Sequence, residues 1–241
     1  MNTVIILAGG TGVRVGAGVP KQFIEVAGRP VIAYTLDIYE AHPLIDNIEI
    51  VCHKDWIAEA QRIVEEEGFS KVKWICEGGA TFQESTMNGI FHLKGKIAPD
   101  DLVLLTFGAA PLTPPADVDD AIRVCKLRGN AISSKDLDLC TCIKDDEEST
   151  TQNILRETMK GFASPWAFVY HDVLEAYETA VANNMLEDLE PHTTSLYFAL
   201  GKRLWFSQCT SPQVKITEAA DLDTFEGHVL LRQKRQQELM Q

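Results

Sequence analysis

The stretch that decides the fold is residues 3–22, which read TVIILAGGTGVRVGAGVPKQ. Its first part, Thr3–Leu7, is a mostly β-branched run that passes directly into Ala8-Gly9-Gly10. This combination predicts a buried strand that ends in a glycine-rich turn. Because glycine has no side chain, the backbone N–H groups of such a turn can approach phosphate oxygens closely. The stretch therefore predicts an α/β fold whose first strand leads into a phosphate-binding loop.

Strands and helices alternate after this stretch, as they do in a doubly wound sheet. We predict strands at Asn47–Cys52, Val72–Cys76 and Leu102–Thr106, and helices at Pro30–Ala41, Asp55–Glu67, Phe82–Leu93 and Pro114–Leu127. Asp55 is predicted to cap its helix, and Gly68 to end it. The expected fold is a mostly parallel, Rossmann-like sheet that binds its ligand outside the carboxyl ends of the strands.

The pattern changes after residue 130. Further strands are predicted at Ala131–Ser134, Leu139–Ile143, Arg203–Gln208 and Val214–Thr217, and helices at His171–Asn183, Thr193–Leu200 and the C-terminus. The acidic residues Asp145–Glu148 are expected at the exposed tip of a projecting β-arm that covers about residues 135–165. We find no repeat or linker, so the chain is expected to be a single domain over residues 1–241.

Composition excludes several classes of partner. The 241 residues carry a formal net charge of -13, which disfavours non-specific binding to nucleic acid or to an anionic membrane. The six cysteines show no zinc-binding spacing, and reduced thiols are the simplest interpretation. The N-terminus has no basic segment of the kind that begins a signal peptide. We therefore expect a cytoplasmic protein with no membrane-spanning segment.

Two cations accompany the glycine-rich loop. Arg14 lies within it, and Lys21 follows in the sequence Pro20-Lys21-Gln22. The stretch is neither a Walker loop nor a regular GxGxxG motif. Lysine and arginine side chains fixed near a triphosphate stabilise the charge that builds up when a nucleotidyl group is transferred. This pattern favours a nucleotidyltransferase.

At this point the sequence resembles a known family. The segment from Leu7 to Leu36 is very similar to the start of the bacterial cytidylyltransferases that make CDP-methylerythritol or CDP-ribitol, and His53-Lys54-Asp55-Trp56 favours the ribitol branch. Residues 78–89 (GGATFQESTMNG) resemble the family's G-G-x-x-R-x-x-S-V-x-N-G. Arg156 and the later Ser164-Pro165-Trp166 follow the family's spacing, and Lys215-Ile216-Thr217 with Asp221 matches its ending.

The resemblance implies a role for each matched residue. It implies that CTP phosphates bind to the loop of Leu7, Ala8, Gly9, Gly10, Thr11 and Gly12, with Arg14, Lys21 and Lys215 as the catalytic cations. It implies that Gly79, Ala80 and Ser85 surround the cytosine. Arg156, Thr193 and Lys215 would bind the phosphorylated acceptor. The family also uses Mg²⁺, and its arm reaches a neighbouring subunit's site, which implies a homodimer.

The departures from the family pattern fall in the site. Phe107 stands where the family has an aspartate expected to help hold Mg²⁺, and Ala110 stands where it has an arginine. Phe82 and Trp166 also replace polar residues. A phenyl ring cannot coordinate Mg²⁺, so we expect the metal to be held mainly by the triphosphate. We expect all three aromatic residues near the acceptor or the metal.

Several functions remain open on these residues. The favoured one is transfer of CMP from CTP to a ribitol-5-phosphate-like acceptor. A methylerythritol-phosphate cytidylyltransferase of isoprenoid synthesis is an alternative, as is a transferase that uses UTP or GTP. A further alternative is a nucleotide-binding homologue that has lost catalysis and acts as a regulatory or partner subunit.

Overall fold

The computed structural model describes residues 1–10, 18–210 and 215–239. Eleven strands occur in these ranges. They are β1 (Asn2–Ala8), β2 (Glu25–Val26), β3 (Arg29–Pro30), β4 (Asn47–Cys52), β5 (Val72–Glu77), β6 (Leu102–Phe107), β7 (Asn130–Asp136), β8 (Thr141–Ile143), β9 (Gln152–Ile154), β10 (Lys160–Val169) and β11 (Phe206–Gln208).

Seven α-helices accompany the strands in the same ranges. They are α1 (Val31–Glu40), α2 (Ile57–Glu67), α3 (Phe82–His92), α4 (Pro115–Arg128), α5 (Tyr170–Ala182), α6 (Thr193–Ala199) and α7 (Ala219–Leu239). Short 3₁₀ turns occur at Lys21–Phe23, Lys54–Trp56 and Arg156–Thr158. None of the helices described is long and apolar enough to span a membrane.

The main sheet has seven strands in the order β11-β7-β10-β6-β1-β4-β5. β1 lies between β4 and β6 and is parallel to both, and every one of its residues is buried. Its alternate residues enter different core clusters, Val4 and Ile6 on one face of the sheet, Ile5 and Leu7 on the other. This confirms the predicted mostly parallel α/β sheet covered on both faces.

One central strand was not predicted. β10 pairs antiparallel with β6 on one side and with β7 on the other. The sequence hides it because Pro165 lies inside it, and proline usually argues against a central strand. The register with β7 shifts between Phe162 and Trp166, and this irregularity accommodates the proline.

Other boundaries differ in detail. Asp55 does not cap α2: a 3₁₀ turn precedes this helix, and the His53 side chain accepts a hydrogen bond from the Asp55 N–H. Gly68 ends α2 in the left-handed conformation, as predicted. The predicted strand at Val214–Thr217 is wrong over its described part, since residues 215–217 form irregular backbone. There the Ile216 N–H donates to the carbonyl of Ala109 instead.

The arm is a two-stranded hairpin of β8 and β9, in agreement with the predicted β-arm. Its acidic tip, residues 145–148, is exposed. The tip is organised by its own hydrogen bonds, because the Asp145 carboxylate accepts from the N–H and hydroxyl of Thr151 at 2.7 Å. Such a network holds the hairpin in shape without a hydrophobic core of its own.

Candidate active site

The first candidate cavity has a volume of about 300 Å³ and lies at the carboxyl ends of β1 and β6. It brings together most of the residues that the sequence assigns to the nucleotide. The described lining residues are Leu7, Gly9, Gly10, Lys21, Gln22, Gly79, Ala80, Thr81, Phe82, Ser85, Phe107, Ala109 and Lys215. Ala8 is buried behind this wall, and Thr11, Gly12 and Arg14 lie outside the described residues.

The start of the glycine loop is held by Gln22. This side chain is almost completely buried, and its amide donates hydrogen bonds to the carbonyl oxygens of Ala8 and Gly10. A buried amide with two backbone acceptors fixes the exit of β1. Sequence reasoning noted Gln22 only as part of Pro20-Lys21-Gln22; its position one residue after Lys21 was the available signal.

The turn that carries Lys21 is anchored from the other side by an aromatic stack. Phe23, two residues after Lys21, is stacked on Trp56 with ring centroids 4.9 Å apart and planes 14° apart. Offset stacking of this kind adds to the burial of both rings. This gives the His53–Trp56 motif a physical role, since its tryptophan packs beneath the turn that bears the catalytic candidate.

The opposite wall is the tight turn before α3. The Ser85 hydroxyl accepts from the Gly79 N–H at 3.0 Å and donates to the Thr81 carbonyl at 2.9 Å. Thr81 and Glu84 form a capping box at the start of α3. A Cβ added to Gly79 would lie 2.1 Å from the Cβ of Glu84, so only glycine fits there. The predicted base-binding residues therefore form one rigid unit.

The second cavity is larger, about 510 Å³, and adjoins the first. Its walls come from the ends of β6 and β7, from the first and middle parts of β10 and from α6. The described lining residues are Phe107, Ala110, Thr113, Lys135, Phe162, Ala163, Ser164, Trp166, Glu190, His192, Thr194, Ser195, Phe198, Cys209 and Lys215. Phe107 and Lys215 line both cavities, so the two sites meet at this pair.

At this junction an ammonium group lies on an aromatic face. The Lys215 Nζ atom is 3.7 Å from the centre of the Phe107 ring, a close cation–π contact. Phe107 also contacts Phe82 and Trp166, with ring centroids 5.5 Å and 5.9 Å away. The three aromatic departures from the family pattern are thus one cluster, which packs between the cavities and supports Lys215.

The backbone that presents Lys215 is fixed by the residues that follow it. The Asp221 carboxylate accepts from the Thr217 hydroxyl and from the N–H groups of Thr217 and Glu218. These hydrogen bonds lower the pKa of Asp221, and the bond from the Thr217 hydroxyl contributes most. The positive charge of Lys21 lowers this pKa further. The cap of α7 therefore holds the Lys215 segment and lies near Lys21.

Two of the predicted acceptor residues lie elsewhere. Thr193 is completely buried, and its hydroxyl is 2.9 Å from that of Tyr177, so it lies beneath the wall that Thr194 and Ser195 line. Arg156 lies on the exposed arm, where it donates to the Asp138 carbonyl. It is absent from the described lining of both cavities. Sequence analysis did not assign Lys135, Thr194 and Ser195 to the site, because no local motif marks them, and it noted Ser164 only as part of Ser164-Pro165-Trp166.

The described lining does not fit a metal ion held by the protein. In that part of the wall no carboxylate lines the nucleotide cavity, and Phe107 occupies the end of β6. Glu190 lines the second cavity, where it lies 3.7 Å from the Nε2 atom of His192. Mg²⁺ requires oxygen ligands. Apart from Glu190, the described walls supply ammonium and hydroxyl groups and no carboxylate.

Comparison with known proteins decides the family. The model of the 2-C-methyl-D-erythritol 4-phosphate cytidylyltransferase family matches residues 2–231. The chain belongs to this cytidylyltransferase family. This confirms the resemblance, and with it the prediction of a nucleotidyltransferase. Of the departures that the sequence shows from the family pattern, Phe107, Ala110 and Trp166 line the second cavity.

Relatives of both branches cover nearly the whole chain. A ribitol-5-phosphate cytidylyltransferase of Lacticaseibacillus paracasei is 34% identical over 97% of this chain and 99% of its own. A 2-C-methyl-D-erythritol 4-phosphate cytidylyltransferase of Clostridium novyi is 31% identical over 92% and 93%. The crystal structure of the 4-diphosphocytidyl-2C-methyl-D-erythritol synthase of Anaerococcus prevotii superimposes with a TM-score of 0.80 at 22% identity, over 95% of this chain and 96% of that one. This last match confirms the fold.

Proposed function

We propose that this member of the cytidylyltransferase family transfers CMP from CTP to a small polyol phosphate, with ribitol 5-phosphate as the favoured acceptor. The observation that carries the proposal is the meeting of the two cavities at Lys215 and Phe107. One cavity has a glycine-rich wall and Lys21, as a triphosphate requires. The other offers hydroxyl groups and two ammonium groups, as a phosphorylated polyol requires.

The reaction needs no protein nucleophile. An oxygen of the acceptor phosphate attacks the α-phosphorus of CTP, a new P–O bond forms, and the bond to the β-phosphate breaks to release pyrophosphate. Negative charge grows on the oxygens of the five-coordinate phosphorus. Lys21 and Lys215 line the nucleotide cavity and stabilise this charge by electrostatic attraction. Arg14 is proposed to act with them on the triphosphate.

Mg²⁺ is proposed to enter as part of the CTP complex. Mg²⁺ commonly keeps several waters and binds substrate phosphates with few protein ligands. The absence of a carboxylate from the described nucleotide wall supports this division of roles. The protein's own contribution at the junction is the Lys215 ammonium, which the Phe107 ring holds at 3.7 Å.

Ribitol 5-phosphate is favoured over methylerythritol 4-phosphate for two reasons. The relative at 34% identity is named for ribitol 5-phosphate, whereas the methylerythritol relative reaches 31%. In addition, the His53–Trp56 motif typical of the ribitol branch is present and packs beneath the Lys21 turn. The second cavity, about 510 Å³, has room for a five-carbon chain.

We further propose that the chain acts as a cytoplasmic homodimer joined through its arms. Leu139 and Leu155 of the arm have exposed fractions of 80% and 65%, and with the exposed Ile143 they give the arm apolar surface that a partner subunit would cover. Arg156 lies next to Leu155 and would bind the acceptor phosphate in the partner's site. The cytoplasmic assignment is supported by the six cysteines, all of which are unpaired.

A pyrophosphate-release assay tests the proposed function. CTP, UTP, GTP and ATP are each offered with Mg²⁺ against ribitol 5-phosphate, methylerythritol 4-phosphate and other sugar phosphates. We expect release with CTP and ribitol 5-phosphate, reduced by about a hundred- to a thousandfold in Lys21→Ala. CTP that raises the thermal stability without any turnover would favour the non-catalytic homologue, and a preference for UTP or GTP would contradict the base assignment.

A further inference from the structure

The second cavity contains a cation that the family pattern does not assign. Lys135 is a described lining residue, at the end of β7, and it shares the cavity with Lys215. Two ammonium groups in one cavity of a chain with a net charge of -13 indicate a local anionic ligand.

The sheet places Lys135 opposite the reaction junction. Trp166 of β10 pairs with Leu105 of β6 on one side and with Ile132 of β7 on the other. Phe107 lies two residues after Leu105, and Lys135 lies three residues after Ile132. β6 and β7 run in the same direction, because each is antiparallel to β10. Neighbouring strands are about 4.8 Å apart, so the two Cα atoms are separated by roughly 10 Å across β10. The Lys135 and Lys215 side chains both line the cavity at this end of the sheet.

The charge of Lys135 is available to a ligand. Its ion pair with Asp138 is long, 3.7 Å, and the Asp138 side chain is 86% exposed, so water screens the attraction. Lys135 also opposes the rise in the pKa of Cys209 that burial causes, which indicates that its charge reaches a second residue of the same cavity wall. Ser164 and Thr194 provide hydroxyl groups in the same cavity wall.

We propose that Lys135 is a binding residue for the acceptor phosphate within its own subunit, opposite Lys215. The phosphate must lie at the junction in order to attack CTP, and there Lys215 and Lys135 contact its oxygens from two sides. One oxygen stays directed at the α-phosphorus. This inference rests on the proposed function and adds a residue to its acceptor site.

The test compares Lys135→Ala with Lys135→Arg and with Lys126→Ala, an exposed lysine on α4 whose loss changes the net charge equally. Initial rates are measured with CTP and ribitol 5-phosphate. We expect the acceptor KM of Lys135→Ala to rise about tenfold or more while the CTP KM stays within about twofold. Lys135→Arg is expected to restore most of the loss, and Lys126→Ala to resemble the unmodified chain. An acceptor KM that does not change in Lys135→Ala, or an equal rise in both KM values, would overturn the inference.

Binding measured without turnover separates this inference from the proposed function. Ribitol 5-phosphate is titrated calorimetrically into each variant in the presence of a non-hydrolysable CTP analogue. If the unmodified chain binds the acceptor but releases no pyrophosphate, catalysis has failed, and weaker binding by Lys135→Ala still supports the role of Lys135. Equal binding by the two proteins, or no binding to either, contradicts it.

Discussion

At the scale of single residues, Phe107 has the least expected role. The resemblance implies a carboxylate at this position, whereas the phenyl ring present here supports the Lys215 ammonium at 3.7 Å. We predict that Phe107→Leu, which keeps an apolar side chain and removes the π face, lowers kcat/KM by about three- to thirtyfold, the equivalent of a partly desolvated cation–π contact. Steady-state kinetics measure the loss. The control is Phe91→Leu, where the Lys94 ammonium lies 4.7 Å from a ring at the end of α3; equal effects in both variants would contradict a specific role.

A second residue-scale prediction concerns a buried acid remote from the site's cations. Glu49 of β4 is completely buried, and burial raises its pKa to about 8 although Lys96 opposes the shift. Its partner is His92 Nδ1, and burial lowers the pKa of His92, so a neutral carboxyl–imidazole pair is favoured. The folded chain therefore holds a proton that the unfolded chain releases near the ordinary glutamate pKa of 4.5. The stability that this proton provides is complete below about pH 4.5 and is lost progressively as the pH rises from there through about 8.

Glu49→Gln tests this linkage. The amide cannot ionise, so the free energy of unfolding should fall less between about pH 5 and about pH 9 than in the unmodified chain, by on the order of 4 kcal/mol. Urea titrations at both pH values provide the measurement. Glu65→Gln, at an exposed position on α2, is the control and should leave the pH dependence unaltered. A parallel pH profile for Glu49→Gln would show that Glu49 is ionised in the folded chain.

At the scale of elements, we expect replacement of glycine by alanine to lower the free energy of unfolding at the turn before α3 and to raise it in the middle of α7. Gly79→Ala places a Cβ 2.1 Å from the Cβ of Glu84, so the turn and the capping box must shift. We expect a loss of about 1–3 kcal/mol in unfolding free energy and a higher KM for CTP. Gly227→Ala meets no atom within 4 Å in an exposed part of α7 and should gain up to about 1 kcal/mol from helix propensity. Thermal unfolding and CTP kinetics are measured for both variants. An unchanged unfolding free energy and an unchanged KM for CTP in Gly79→Ala would contradict the prediction.

Elements also show what the sequence could and could not predict. β1 and its glycine turn follow from local pattern, because a β-branched run and Gly9-Gly10 are adjacent in the chain. β10 does not, since Pro165 breaks its pattern and only pairing with β6 and β7 makes it a strand. Lys135 joins the site through that pairing alone, which is why no motif marks it. Thr193 shows a different kind of error. The sequence predicted the correct segment, but the first turn of α6 buries the Thr193 side chain in the core, whereas Thr194 and Ser195 line the cavity.

At the scale of the whole molecule, the proposed dimer makes a site depend on two chains. Lys21 lies in the cavity of its own chain, whereas Arg156 lies on the arm, outside the described lining of that chain's cavities. If Arg156 acts on the partner's acceptor, Lys21→Ala and Arg156→Ala damage different sites of a mixed dimer. One of those sites has both substitutions, and the other has an intact Lys21 and an intact Arg156.

We therefore predict complementation. The two variants, each nearly inactive alone, are unfolded together at equal concentrations, refolded and assayed for pyrophosphate release. Random pairing makes about half of the dimers mixed, each with one intact site, so about a quarter of the unmodified activity should return. Light scattering should give a mass of about twice 26.8 kDa for each variant and for the mixture. No recovery in a dimeric mixture would place Arg156 in its own subunit's site, and a monomeric mass would remove the arm-mediated dimer from the proposal.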